Sequence, residues 1–119
     1  MSEAKKILEM IEEVDPSDTD KMDEIDARVW AYKKNVEKRL ADIGLLLADQ
    51  SAPRYTRSRD ALKNIRPEGW EIAVHQHCSD EFTVFLDNDK YTTSSHSLPT
   101  EELAELHAII QAIEWERTQ

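Results

Sequence analysis

Apolar positions in the first half of the chain repeat at helical intervals. In "SEAKKILEMIEEV", residues 2–14, Ile7, Met10, Ile11 and Val14 share one helical face, and Ser2 offers an acceptor to cap its start. "DPSDTD", residues 15–20, interrupts that pattern, because Pro16 forces its predecessor out of helical geometry and Asp and Ser side chains favour turns and caps. The spacing resumes more strongly from Asp20 to Ala48, where Met22, Ile25, Val29, Tyr32, Val36, Leu40, Ile43 and Leu47 step by three or four. This predicts one helix about 40 Å long with a narrow apolar seam, longer than a small core covers. Part of the seam is therefore expected to pack on the first helix or on the same helix of a second copy. Ile25, Val29, Tyr32, Val36 and Leu40 are the positions expected at such a homodimer interface. Trp30, Leu45 and Leu46 broaden the stripe beyond that of a simple coiled coil, and Gly44 weakens its last turns.

After residue 49 the period changes. "DQSAPRYTRS", 49–58, reads as a polar connector, and Ser58 can cap a short helix over 59–66 with Ala61, Leu62 and Ile65 on its buried side, ended by Pro67 and Gly69. "WEIAV" and "FTVFL" then alternate as half-buried strands do, with Trp70, Ile72 and Val74 facing the same way as Phe82, Val84 and Leu86. "NDK" is a turn, and "YTTSSHS" a weaker third strand at an edge. "LPTEELAELHAIIQAIEWE" closes with a helix that Thr100 caps, with Leu103, Leu106, Ile110 and Ile113 as its core face. The pattern predicts an α+β fold. A helical hairpin with one long helix, residues 1–49, extends an α-β-β-β-α domain, residues 50–119, whose three-stranded antiparallel sheet is packed by helices; the two parts are expected to form one compact unit.

Composition and charge narrow the function. The 119 residues suffice for one modest core. One cysteine excludes an internal disulfide, the N-terminus lacks the apolar stretch of a signal peptide, and no run reaches the roughly 20 apolar residues of a membrane span. A cytosolic protein is expected, not a membrane one. Net charge is −10. Residues 1–26 carry ten acids against three bases, 27–66 ten bases against four acids, and 67–119 eleven acids against two bases. Such a field repels nucleic acid and attracts basic protein surfaces.

"AVHQHCSDEF", 73–82, sets His75, His77 and Cys78 close together. Alternation separates them: Cys78 points inward with Val74, while both histidines point to the opposite face. Matching the inward faces places Cys78 opposite Phe82, His77 opposite Thr83 and His75 opposite Phe85, around a Ser79-Asp80-Glu81 loop. No third protein ligand stands beside the histidines, since Glu71 and Asp87 lie further along the sheet, so neither a metal site nor a cofactor is expected. The same divergence, with no visible oxyanion-hole loop, argues against a Cys–His nucleophile, and no enzyme activity is expected. "RYTRSR", 54–59, lacks a glycine-rich turn and reads as a basic connector that salt-bridges the chain's own acids. The order α-β-β-β-α is also that of double-stranded RNA-binding domains, but those need lysines where this final helix begins "TEELAE". RNA binding is rejected for that surface.

"YTRSRDALKNIRPEGWEI", 55–72, followed after two short strands by "LPTEELAELHAIIQAI", resembles the phage ABA sandwich domain family, whose pattern runs Tyr-Thr-x-Ser-x-Asp-Ala, Pro-Glu-Gly-Trp, Thr-Pro and a leucine- and alanine-rich final helix. "MDEIDARVW", 22–30, is similar to the helix that often precedes it, so the resemblance spans most of 22–117. Leu-Pro-Thr replaces Thr-Pro here, and the N-terminal helices are longer. The resemblance implies a phage or prophage origin and helices on both faces of the sheet, burying Phe85 and His75 under the long helix; the alternation pattern leaves that face open. It brings no catalytic residues. The expected function is that of an acidic accessory protein that binds a basic protein, such as a nucleic-acid-handling host defence factor, and inhibits it. Glu12, Glu13, Asp15, Asp18, Asp20, Asp23, Glu24, Glu101, Glu102 and Glu105 are the expected partner-binding acids. The alternatives are an assembly protein that self-associates through its long helix and, behind it, a metal-dependent enzyme.

Overall fold

A computed structural model describes residues 3–38, 54–77 and 81–118. Helices α1 (Glu3–Glu13) and α2 (Thr19–Lys38) are followed by the short α3 (Arg59–Lys63). Strands β1 (Glu71–His77), β2 (Glu81–Asp87) and β3 (Thr92–Ser94) come next, and α4 (Glu101–Arg117) closes the chain. The sheet is antiparallel in the order β1-β2-β3, so the α+β class expected from the pattern is the one adopted.

The caps lie where the side chains call for them. Ser58 Oγ accepts from the Ala61 N–H at 3.3 Å and Thr100 Oγ1 from the Leu103 N–H at 3.1 Å, each satisfying a donor that a helix start leaves open. Asp18 does the same for α2 through the Lys21 N–H at 3.1 Å. Gly69 has φ +87°, a left-handed backbone that lets the chain turn from α3 into β1.

One helix organises the rest. α4 packs on β2 and β3, on α1 and on α3, and Leu103 to Ile110 are buried without a break. A helix apolar on one face needs cover on one face, whereas α4 is covered all round. The reading of a single core face of Leu103, Leu106, Ile110 and Ile113 was therefore too narrow: Ala104, Ala108, Ile109 and Ala112 are buried as well. α1 contributes Ala4, Ile7 and Ile11 to the same core, α2 contributes Met22, Ile25, Val29 and Tyr32, and the sheet contributes Val84 and Leu86.

The β1–β2 register differs from the expected one by two residues. His75 lies opposite Thr83 and His77 opposite Glu81, where Phe85 and Thr83 were expected. Faces are preserved, because side chains alternate with a period of two. Cys78 lies outside the described residues. So does the expected continuation of the long helix beyond Lys38.

Candidate functional site

Two of the basic connector's three arginines are spent inside the chain. Arg57 pairs with Asp23 and, at 3.0 Å, with Asp26, while the Thr56 N–H donates to Asp26 Oδ1 at 2.8 Å. Asp26 is 3% exposed, and burial pushes its carboxyl above the usual range against those hydrogen bonds. Burial works against the Arg57 charge too, but the two carboxylates hold its pKa above the ordinary value. Arg59 reaches Glu101 at 2.9 Å and Glu105 at 3.3 Å. The residues that carry the family resemblance thus build the fold: Tyr55 and Thr56 are buried, Ser58 is a cap, and Trp70 donates from Nε1 to Glu116 at 2.8 Å while meeting Trp115 edge to face.

The ten expected partner-binding acids do not form one surface. Glu105 is 1% exposed, held up in pKa by burial against the pull of Arg59 and Arg66, and cannot meet a partner. Asp23 and Glu101 are paired as above, and Glu24 pairs with Lys21 and Arg28. Glu12 belongs to a histidine cluster. Glu13, Asp15 and Asp18 converge on a shallow cleft floored by Met10, Val14 and Ile25, yet Asp15 also accepts from Ser17 to hold the turn and Asp18 caps α2. Asp20 is exposed and Glu102 half-buried.

The expected dimer seam is also used internally. Ile25, Val29 and Tyr32 are at most 5% exposed, and the Tyr32 hydroxyl donates to Glu114 at 2.8 Å. They offer no area to a second copy without opening the core. The Val36 side chain and Leu40 lie outside the described residues.

What the sheet leaves open is more distinctive. α4 covers one face, and among the described residues no helix covers the other, so His75 is exposed and Phe85 half-buried, 5.4 Å apart edge to face. Among the described residues that face is open, as the alternation pattern expects; the part of the long helix that the family resemblance would lay over it lies outside them. β1 is an edge: among the described residues only β2 pairs with it, and Glu71, Ala73, Val74, His75 and Gln76 are all exposed. Val74, expected in the core, is 37% exposed because β1 lies at the margin of the helix cover. Glu71 stands directly opposite Asp87 on the open face, and no ion pair among the described residues reaches either. Like charges in that position repel.

A second constellation joins three elements. Glu12 at the end of α1 has Oε2 2.8 Å from His107 Nε2 on α4 and 3.2 Å from His96 Nε2, just after β3. The two rings meet edge to face at 5.1 Å. His107 is buried and, by that burial, held below the usual histidine pKa against the opposing pull of Glu12. Its Nδ1 lies 2.8 Å from Gln111 Nε2, which also donates to the Ser94 carbonyl at 2.8 Å. His75 of the "HQH" stretch takes no part. The clue in the sequence was a histidine inside the apolar run "LHAII"; the partners, far away in the chain, come together only through the packing of α1 on α4.

Among the described residues no helix is long and apolar enough to cross a membrane. No family model, curated protein or solved structure matches this chain.

Proposed function

We infer that the protein works by binding another protein, and that β1 and the open face beside it receive a basic extended segment of that partner. The open β1 edge carries this reading. In a seven-residue edge strand alternate N–H and C=O groups point away from the sheet, a ready template for an added strand. Edges are commonly guarded by proline, lysine or a bulge. β1 has neither residue, and its pairing with β2 runs without a bulge.

The chemistry of the occupant follows from the surroundings. Glu71 and Asp87 at one end of the open face and Glu81 at the other set carboxylates on one side of β1, and the exposed Val74 lies on the other, so an added strand that alternates basic and apolar side chains turns its basic ones to the carboxylates and its apolar ones to Val74. A second copy of this chain would bring −10 against −10. As the biological setting we propose inhibition of a basic, nucleic-acid-handling defence factor, for which the acidic charge of the chain and of its open face is the support. Calorimetric titration with a hexapeptide alternating lysine and valine tests the chemistry: binding is expected that weakens with salt and fails in a Glu71→Lys, Asp87→Lys double variant, while an alternating glutamate–valine peptide does not bind. Binding indifferent to salt and to that charge reversal contradicts the reading.

A further inference from the structure

We propose that Glu12, His96 and His107 form a binding site for a zinc-class divalent cation. The three ligand atoms, one carboxylate oxygen and two imidazole nitrogens, lie within 4.8 Å of one another. Around a tetrahedral zinc with bonds of about 2.0 Å, neighbouring ligand atoms stand about 3.3 Å apart. Glu12 Oε2 is already 3.2 Å from one nitrogen and 2.8 Å from the other. Small side-chain rotations therefore bring all three to bonding distance of one point. Two imidazoles and a carboxylate suit zinc and its transition-metal neighbours, whereas calcium and magnesium call for oxygen ligands alone.

Access and anchoring are divided among the ligands. The His107 side chain is 4% exposed and fixed by Gln111, whereas those of Glu12 and His96 are 34% and 66% exposed and face the approaching ion. A fourth position then falls on the solvent side, open to water or to a partner's side chain.

Gln111 sets a condition on loading. With its amide donating to both Ser94 O and His107 Nδ1, the ring proton sits on Nε2 and points at Glu12. When the ion takes the Nε2 lone pair, that proton moves to Nδ1 and the ring stays neutral. The amide must turn over so that its oxygen accepts the Nδ1 proton, which releases the Ser94 carbonyl. The cation thus ties α1 to α4 while loosening the end of β3.

Titration of the full chain, purified without a tag, with zinc chloride tests the site, and cobalt(II) absorbance reports the ligand geometry. One equivalent is expected to bind with micromolar affinity, with the intense visible bands of tetrahedral cobalt. Affinity is expected to fall at least tenfold in His96→Ala and in Glu12→Gln, both partly exposed positions whose folding circular dichroism checks, and to be unchanged in a His75→Ala, His77→Ala double variant. No binding, binding that survives both ligand substitutions, or binding lost with the β1 histidines instead would each overturn the proposal.

Discussion

Asp26 shows how a single buried carboxylate holds two segments together. It accepts from the Thr56 backbone and from Arg57, so truncation orphans a buried N–H and leaves Arg57 without its more buried partner. Asp26→Ala is expected to cost about 2 kcal/mol in urea unfolding, even though burial raises the carboxyl pKa, because the backbone donor has no substitute. Asp20→Ala, at an exposed position, is expected to stay within about 0.5 kcal/mol. Glu114 has the opposite shift. Arg117 holds its carboxyl below the ordinary range, against partial burial and with help from the Tyr32 hydroxyl. A carboxyl depressed in the folded chain contributes stability that is present above the unfolded pKa near 4.5 and is lost as pH falls through its lower folded value. Glu114→Gln is therefore expected to lose less thermal stability than wild type as pH falls below 4.5, read from melting curves. Arg117 lies three residues from Glu114 on the same helix, but the Asp26 partnerships are not written in the local sequence. Caps such as Ser58 and Thr100 were legible because their partners lie three residues away, whereas Asp26 finds Thr56 and Arg57, and Tyr32 finds Glu114, through the fold.

At the level of elements, α4 and α2 were legible as helices but not in their surroundings. Leu103 to Ile113 is apolar apart from Glu105, His107 and Gln111, so a narrow periodic face and a fully buried helix look alike until neighbours are counted. The sheet register escaped for a different reason. Sliding β1 by two residues changes every cross-strand partner and no face, so alternation alone does not choose between the two registers. The α2 seam carries the sharpest test. Val29 is fully buried against this chain's own core, so Val29→Asp places a carboxylate there without a partner. Loss of cooperative folding by circular dichroism is expected; a folded monomer derived from a wild-type dimer, seen by light scattering, would return the seam to an intermolecular role.

Over the whole molecule, the charge blocks explain one another. The basic middle of the chain is drawn between the two acidic ends: Arg28 meets Glu3 and Glu24, Arg57 meets Asp23 and Asp26, and Arg59 and Arg66 meet Glu105. The sequence reading of a connector that salt-bridges the chain's own acids holds for Arg57 and Arg59, which with Arg28 commit four of the ten acids expected at a partner interface, Asp23, Glu24, Glu101 and Glu105. The open sheet face keeps Glu71, Glu81 and Asp87 beside an unguarded edge. Composition shows the excess of acid; only the topology shows which acids remain available. Amide chemical-shift mapping during titration with the alternating lysine–valine peptide tests the central claim most directly. The account predicts that the largest changes and the slowed hydrogen exchange fall on Glu71–His77; changes centred on the Glu13–Asp18 elbow, with β1 unaffected, would contradict it.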